Sequence, residues 1–395
     1  ANMLFMEDHV RKVAPWLQAR RGECDAIVGC LSAAEIVKLT RLGAFSMGNP
    51  TGGALGLLKR IAGKHRKSRS AGRGQMKLLR SLPRLLKYIP GKAQDVRAYF
   101  MVLQYLLAGS DDNIVNLVRF LVARYATGPR AMVGQSLSPR EPVHYPDIGL
   151  YHPALPDRIT DSLDAYFAAA GKPAKSSGTV GLLVMRSYVL ADNRAHYDGV
   201  ISALEERGLT VVTAFASGLD ARPAIEKYFQ EDGRATVDCV VSLTGFSLVG
   251  GPAYNDSAAA EEALADLDVP YLSAFAIEFQ TLEEWEANPQ GLTPVETTIM
   301  VALPEIDGAT GPILFGGRSA SGEKRDMAAH EERATALAAR VEKLIALRRS
   351  DKAKRRVAAV IYNFPPNGGA TGTAAYLSVF RSLFNTLKAM KAEGY

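Results

Sequence analysis

Several residue types and patterns are scarce in this 395-residue chain, and each scarcity narrows the possible classes of protein. The three cysteines, Cys24, Cys30 and Cys239, are too few and too irregularly spaced for a disulfide framework or a structural metal site, and they suit a reducing cytoplasm. No apolar run approaches the roughly 20 residues of a membrane span. No Gly-Lys-Ser/Thr sequence follows a glycine-rich loop, so the chain has no Walker A motif.

Catalytic constellations are equally scarce. No Ser/His/Asp set emerges, and the carboxylates near the predicted strand ends show no spacing that is typical of an acid–base pair. His144 and His152 are eight residues apart, too far for one helical face, so they do not predict a metal pair. The sequence therefore predicts no particular catalytic residue and no metal ligand.

Acidic residues are absent from one stretch, Lys59–Lys92, which carries twelve Lys and Arg. The other residues hold 35 basic against 41 acidic side chains, so the net charge of +6 is a local feature. Tyr88 is the only aromatic residue in the stretch, which argues against nucleic-acid binding. Three interpretations stay open: a solvated loop running into a core-facing helix, a dock for an acidic ligand or partner, and peripheral membrane contact. We expect residues 60–75 to be mobile and sensitive to proteases.

From Gly178 onward, short apolar runs alternate with helical patterns. The predicted strands are Thr179–Met185, Leu209–Phe215, Val237–Leu243, Val269–Phe275 and Val357–Tyr362. The predicted helices are Arg194–Arg207, Ala221–Gln230, Ser257–Leu267 and Ala328–Arg349. This alternation predicts an α/β fold, a doubly wound and mostly parallel sheet, in which the strands at 179, 209, 237 and 357 are parallel neighbours.

The chain before Gly178 predicts a different organisation, with a buried strand at Asp25–Cys30, a helix at Ala33–Arg41, and two helices at Asp95–Ala108 and Asp111–Tyr125. We therefore predict four parts. They are the tail of an N-terminal α/β domain (1–50), a basic loop with a small helical subdomain (51–140), an α/β domain (141–350) and the start of a further α/β segment (351–395). In this alternating pattern a strand is expected after each helix and its terminal glycine. Because no strand follows the last helix and Gly394, we expect the chain to be a piece of a longer protein.

Three loops follow predicted parallel strands at their carboxyl ends, where open α/β sheets bind ligands. They are Arg186–Asn193, Thr244–Asp256 and Asn363–Gly372. If only one such loop were present, the simpler explanation of its glycines would be that they permit a tight turn. Because three loops converge, we favour the interpretation that they line a ligand site. The candidate binding residues are Arg186, Tyr188, Asn193, Arg318, Asn363, Gly368, Gly369, Thr371 and Gly372. His152, in the segment IGLYHP, is a further candidate because of the family resemblance given below.

Five segments carry a resemblance to a known family. They are PVHYPDIGLYHP (Pro142–Pro153), VDCVVSLTGFSLVGGPAYND (Val237–Asp256), LDVPYLSAFAIEFQTLEEW (Leu267–Trp285), VALPEIDGATGPILFGGR (Val301–Arg318) and NFPPNGGATGTAAYLSVFRSLFNTLKAMKAEGY (Asn363–Tyr395). Together they resemble the large, porphyrin-binding H subunits of magnesium chelatase, which belong with the large subunits of aerobic cobaltochelatase. The segments GFSLVGGPAYND and FQTLEEW favour the magnesium branch.

The resemblance implies a subunit that binds protoporphyrin IX and hosts Mg²⁺ insertion for chlorophyll or bacteriochlorophyll synthesis. It implies that ATP is hydrolysed by partner AAA+ subunits, which act with an integrin-like subunit, in the cytoplasm or at the periphery of photosynthetic membranes. We expect the 395-residue chain alone to lack chelatase activity, with the metal-handling residues beyond Tyr395. Two alternatives stay open: a non-catalytic ligand-binding α/β scaffold, and a cobaltochelatase subunit acting on a corrin precursor.

Overall fold

The computed structural model describes residues 7–30, 33–47, 82–171, 175–251, 254–320, 326–361, 372–374 and 377–395. The chain divides into two compact units. The first takes in residues 1–145 and 187–193, and the second residues 146–186 and 194–395. The predicted mobility of residues 60–75 concerns a segment that lies outside the described residues.

The first unit is mainly helical. Its longer elements are the helices Glu7–Ala19 (α1), Ala34–Lys38 (α2), Lys92–Ala108 (α3), Asp111–Tyr125 (α4) and Ala131–Ser136 (α5), and the hairpin strands Arg41–Leu42 (β1) and Phe45–Ser46 (β2). Helix α3 is central because apolar side chains occupy most of its circumference; Tyr99, Phe100 and Tyr105 are all buried. Gly109 ends it in the left-handed conformation, at φ +66°.

One expectation for this unit was wrong: Asp25–Cys30 forms no strand, and Ile27 makes a single bridge to Arg41. Helix α4 has the predicted limits; its N-cap is Ser110, and Asn113 and Asn116 lie on its buried face. These asparagine side chains bond the backbone of Arg140 and Val143, so the returning segment, and not an apolar stripe alone, decides which face is covered.

The second unit is built on an eight-stranded sheet of order β14-β13-β12-β9-β5-β6-β3-β4. Its strands are Ile148–Tyr151 (β3), Ile159–Thr160 (β4), Thr179–Leu183 (β5), Thr210–Ala216 (β6), Cys239–Ser242 (β9), Tyr271–Thr281 (β12), Thr310–Arg318 (β13) and Met327–Ala329 (β14). Neighbours from β13 through to β6 are parallel, whereas β14, β3 and β4 pair antiparallel at the two edges. Two-residue strands form small hairpins outside this sheet: Gln230–Glu231 (β7) with Arg234–Ala235 (β8), Gly250–Gly251 (β10) with Tyr254–Asn255 (β11), and Thr373–Ala374 (β15) with Leu377–Ser378 (β16).

Helices cover the sheet on both sides. The described helices from residue 163 onward are Leu163–Ala170 (α6), Arg186–Leu190 (α7), Ala195–Glu205 (α8), Arg222–Tyr228 (α9), Ser257–Leu267 (α10), Leu282–Ala287 (α11), Pro294–Glu296 (α12), Leu303–Ile306 (α13), Glu331–Arg349 (α14) and Val379–Ala392 (α15), with a π-helix, Thr297–Ala302, between α12 and α13. Residues 187–190 of α7 belong to the first unit, and α15 has no buried residue. Helices α8 and α14 contact each other and the sheet. Helices α6, α9 and α10 enclose a separate apolar cluster that includes Tyr166, Phe229 and Val240. The doubly wound α/β prediction is confirmed.

Several predicted element boundaries hold and one element does not. The strands predicted at Thr179, Leu209 and Val237 are parallel neighbours as expected, and helix Ser257–Leu267 has the predicted limits. The fourth strand, Val357–Tyr362, was wrong: the described residues 357–361 form no strand, and Val360 is 88% exposed. An apolar β-branched run favours a strand only where a neighbouring strand can pair with it, and in the described part of the chain none pairs here.

Candidate functional site

The order of the parallel strands places a topological switch between β5 and β9. In chain order the five parallel strands run 2-1-3-4-5 across the sheet, because β6 lies on one side of β5 and β9, β12 and β13 follow on the other. Chain connections after β5 and β9 therefore leave in opposite directions and open a crevice above the carboxyl ends of these two strands. Arg186 and the loop 244–251 follow those two strand ends, as predicted.

Arg186 is half-buried at the point where β5 passes into α7. Its Nε donates to the Pro146 carbonyl at 2.9 Å. This hydrogen bond holds the guanidinium group at the carboxyl edge of the sheet. On the same edge, the Met185 amide donates to the Tyr197 hydroxyl at 3.3 Å. Arg186 is thus the cation that the fold places nearest the switch point along strand β5.

The loop 244–251 is held in place from several directions. Leu248 donates its amide to the Asp307 carboxylate at 2.8 Å and accepts from the Ala221 amide at 3.1 Å. Gly250 donates to the Leu219 carbonyl at 2.6 Å. Gly245 has φ +73° and lies against Phe275, so a β-substituted residue would be strained there. The loop is therefore a rigid wall of the crevice.

Strands β12 and β13 continue past the level of the switch point. Ser273 pairs with Ser242 at the end of β9, yet β12 runs on to Thr281, which pairs with Arg318. Phe279 therefore lies past the end of β9, between Ile277 and Thr281, where the register of β12 against β13 is irregular. This two-stranded strand extension, residues 276–281 with 316–318, forms a second wall of the crevice.

The strand extension carries polar and apolar groups. The Arg318 Nε donates to the Glu278 carbonyl at 3.1 Å, and its guanidinium lies 3.8 Å from the Glu278 carboxylate. Phe279 is 65% exposed, which is unusual for an aromatic residue in an inner strand. The sequence analysis did not single out Phe279, because the predicted strand ended at Phe275; the signal that could have found it is its position between the polar residues Glu278 and Gln280.

Arg186 and Arg318 lie on the same edge but on strands that are three spacings apart. The separation of the two strands is about 14 Å. The residues therefore flank the crevice, and an elongated or flat ligand fits such a spacing better than a small anion. Arg318 is paired with Glu278, so an anion that bound Arg318 would have to compete with that carboxylate.

Where helix α8 packs on strand β13, the face of the sheet is aromatic and buried. His196 is 1% exposed, and its ring stacks on Phe315 with centroids 5.8 Å apart and an interplanar angle of 7°. Burial lowers the pKa of His196 to about 3, so the ring stays neutral. Burial also raises the pKa of the Tyr197 hydroxyl. These groups pack between α8 and the sheet and do not exchange protons near neutral pH.

The remaining predicted residues lie elsewhere. His152 is buried at the opposite, amino-terminal edge, because β3 runs antiparallel to β6; its Nε2 lies 3.0 Å from the Glu205 carboxylate. Tyr188 and Asn193 belong to the first compact unit, where the Asn193 amide donates to the Tyr188 carbonyl at 3.1 Å.

Most candidates of the C-terminal loop, Asn363, Gly368, Gly369 and Thr371, lie outside the described residues. Gly372 is described, at φ +81° beside Phe380. The structure thus brings Arg186 and Arg318 to one edge.

Among the described residues, no group of three or more His, Cys, Asp or Glu side chains is arranged to hold a metal ion. Within the same part of the chain, no helix has the length and apolar character needed to cross a membrane. All three cysteines are free. Burial raises the pKa of the Cys239 thiol to about 12, which makes it inert at neutral pH.

Comparison with known proteins gives consistent matches. The chain is 51% identical to the magnesium-chelatase H subunit of Cereibacter sphaeroides, with all of this chain and 34% of that protein aligned. It is 36% identical to the chloroplastic ChlH subunit of magnesium chelatase from Oryza sativa subsp. indica, with all of this chain and 29% of that protein aligned. The chain therefore spans about a third of the length of these curated relatives.

A solved structure, the catalytic subunit of cobaltochelatase from Mycobacterium tuberculosis, shares the fold with a TM-score of 0.53 at 24% identity, over 75% of this chain and 23% of that one. A Domain of unknown function (DUF3479) matches residues 1–100. The CobN/Magnesium Chelatase family model matches residues 103–395, most of the chain and the whole of the switch-point crevice. The chain belongs to the CobN/Magnesium Chelatase family.

Proposed function

We propose that this chain contributes to the porphyrin-binding subunit of a magnesium chelatase, and that its switch-point crevice contacts protoporphyrin IX. In the complete enzyme Mg²⁺ and the porphyrin are the substrates. ATP is hydrolysed by partner AAA+ subunits acting with an integrin-like subunit, in the synthesis of chlorophyll or bacteriochlorophyll. The support is the family membership together with the crevice itself, which has an exposed aromatic residue on one wall and is flanked by Arg186 and Arg318.

The chemistry of the ligand matches what the walls offer. Protoporphyrin IX is a flat apolar ring with two propionates at one side, so it needs broad apolar contact and a few anion-binding groups. Phe279 offers an exposed aromatic surface on the strand extension. Arg186 and Arg318 supply guanidinium groups, which bind carboxylates in a bidentate manner. The rigid loop 244–251 supplies a wall that needs no reordering on binding.

The coupling to ATP follows from the properties of the metal. Mg²⁺ dehydrates reluctantly and prefers octahedral oxygen ligands, whereas the porphyrin presents four nitrogens in a plane and must lose two protons. Insertion therefore has a large barrier, which nucleotide hydrolysis in the partner subunits helps to overcome. We propose that this chain holds the ring and that the metal-inserting groups come from the remainder of the complete protein.

A titration with water-soluble deuteroporphyrin IX tests the proposal. The chain has two tryptophans, and Trp285 packs against the apolar cluster beneath the strand extension. We expect a saturable shift of the porphyrin's main absorption band and quenching of tryptophan fluorescence, with the quenching strongly reduced in Trp285→Phe and retained in Trp16→Phe. A preference for a corrin-type ring over the porphyrin would favour the cobaltochelatase branch. No saturable binding of either ring would leave the non-catalytic scaffold as the better explanation.

We also propose that the protein is cytoplasmic and makes peripheral contact with a membrane through residues 84–92. Within this segment Tyr88 is 84% exposed, and Leu85 and Ile89 are 67% and 50% exposed. Arg84, Lys87 and Lys92 accompany them and no acidic residue lies between. Exposed apolar side chains beside cations suit the surface of an anionic bilayer.

A further inference from the structure

Two buried carboxyl groups, Glu296 and Asp307, lie at opposite ends of the helical segment behind the crevice. The segment consists of α12, the π-helix Thr297–Ala302 and α13. Glu296 is 0% exposed and Asp307 is 2% exposed. Burying an acidic side chain this deeply is costly unless its bonds to the protein compensate, so the partners of these two groups indicate what each one does.

Asp307 is bonded to the switch-point loop. Its Oδ2 accepts from the Leu248 amide at 2.8 Å, and Leu248 is itself 2% exposed. The other oxygen, Oδ1, has no hydrogen-bond partner in the described part of the structure. Burial, with the charge of Asp307 nearby, raises the pKa of the Tyr271 hydroxyl. The bond of Asp307 is thus directed at the backbone of the loop 244–251.

Glu296 is bonded to the strand extension. Its Oε2 accepts from the Gln280 side chain at 2.7 Å and from the Thr293 amide and hydroxyl at 2.9 and 2.8 Å. Gln280 also donates to the Gly291 carbonyl at 3.2 Å. Because Gln280 follows Phe279 in the strand extension, Glu296 fixes the backbone that presents the exposed aromatic ring. Glu296 Oε1 has no hydrogen-bond partner among the described residues.

The π-helix joins these two anchors. The π-helix is rare in proteins and frequently occurs at functional sites. Met300, within the π-helix, is buried in one apolar cluster with Phe275, Ile277 and Leu314 from the two strands that form the extension. Gly245, in the switch-point loop, also lies next to Phe275 and Met300. One helical segment therefore contacts both walls of the crevice and bonds each wall through a buried carboxyl group.

We propose that Asp307 and Glu296 are positioning residues that set the distance between the two walls, and so adapt the crevice to a flat ring. The inference rests on the proposed porphyrin binding. Asp307 sets the loop wall through the Leu248 amide. Glu296 sets the strand extension through Gln280, and with it the orientation of Phe279. Neither side chain touches the ligand, and their effect on binding passes entirely through the walls.

The matched control is Asp238, a carboxylate of the same chemistry at the opposite edge. Its Oδ2 accepts from the Thr179 amide at 2.7 Å, and it pairs with Arg349 at 2.7 Å. Asp238→Ala also removes a carboxylate that accepts a backbone amide, but at the amino-terminal edge of the sheet. It is expected to lower stability and to leave both walls of the crevice unchanged.

The test combines amide hydrogen exchange, which needs no ligand, with deuteroporphyrin IX titration of the intact protein. In Asp307→Ala we expect faster exchange confined to residues 244–251 and an affinity for the porphyrin lowered about ten-fold. Asp307→Asn keeps an acceptor for the Leu248 amide and should restore both. Gln280→Ala, at a half-buried position that tolerates truncation, should loosen residues 276–281 and weaken binding similarly, while Asp238→Ala changes neither.

The outcomes separate the two proposals. Unchanged exchange of residues 244–251 in Asp307→Ala, or faster exchange with unchanged porphyrin affinity, would overturn the positioning role. If Asp307→Ala does not fold, Gln280→Ala decides in the same way for the strand extension. A wild-type protein that binds no porphyrin would overturn the proposed function, and the exchange data would still decide whether the carboxyl groups hold the walls.

Discussion

The Arg186 guanidinium is joined through Nε to the Pro146 carbonyl by a 2.9 Å hydrogen bond. This bond connects the residues that follow β5 with those that precede β3, two strands that are separated by β6 in the sheet. An arginine anchored in this way loses less conformational entropy on binding a carboxylate than a free surface side chain would. The anchoring makes Arg186 the first residue to test for propionate binding.

Arg186→Ala is expected to weaken deuteroporphyrin binding ten- to a hundred-fold, because one charge-assisted hydrogen bond contributes about 1.5–3 kcal/mol. Absorbance titration measures the effect, and circular dichroism checks that the fold persists. Arg349→Ala is the matched control, since Arg349 is bonded to Asp238 at the other edge of the sheet. Equal affinities of Arg186→Ala and wild type would show that Arg186 only stabilises the strand end.

Phe279→Ala is expected to weaken porphyrin binding about ten-fold with little change in stability. The ring is 65% exposed, so its removal takes away little buried surface in the free protein. Aromatic stacking on a flat ligand contributes roughly 0.5–1.5 kcal/mol of binding free energy in addition to that from the burial of apolar surface. Phe279→Tyr should bind as wild type does. A thermal midpoint lowered by many degrees in Phe279→Ala would instead indicate that the ring packs within the protein.

The central strands and the switch point could be predicted because short, nearly continuous apolar runs are typical of buried parallel strands. Helix Ser257–Leu267 was predicted to the residue because Asp256 caps it, accepting from the Ala259 amide at 3.1 Å. Arg186 followed from the rule for the carboxyl edges of such sheets, whereas Arg318 was named without a predicted strand before it. Local pattern sufficed wherever the neighbouring strand was also apparent from the sequence.

Other features depend on long-range contacts that a local pattern does not contain. The segment Thr310–Arg318 was not predicted as a strand, because it has Gly and Pro at its start and Gly near its end. Gly316 is required there because the backbone of Ala328 and the side chain of His196 leave no room for a β-carbon. Nothing in the local sequence distinguishes the buried carboxyl groups of Glu296 and Asp307 from those of surface residues. Their importance comes from partners 16 and 59 residues away in the chain.

The stability of the second unit should decrease in mild acid because of His196. Burial lowers its folded pKa from 6.5 to about 3. Below pH 6.5 the unfolded chain binds a proton that the folded protein excludes, so the stability present above this pH is lost progressively down to about pH 3, by up to about 1.4 kcal/mol per pH unit. Urea unfolding at several pH values measures the slope. His196→Gln should be less stable at neutral pH and have a shallower slope; an unchanged slope would assign the acid sensitivity to other groups.

The segment 84–92 should bind anionic vesicles through both its charge and its apolar side chains. Each Lys or Arg close to such a surface contributes about 1 kcal/mol at low salt, and this part is screened as the Debye length shortens to about 8 Å at physiological ionic strength. Tyr88 and Ile89 add contact that salt does not screen. Vesicle co-sedimentation should therefore show binding that weakens with salt without vanishing.

The double variant Tyr88→Ser/Ile89→Ser is expected to retain binding at low salt and to lose it at physiological salt. Met132→Ser is the matched control, because Met132 is 77% exposed in the same unit but lies outside the basic segment. Neutral vesicles should bind none of these proteins. If the double variant and Met132→Ser bind the vesicles equally at every salt concentration, Tyr88 and Ile89 do not contribute to membrane binding. The cations of the segment would then account for the binding alone.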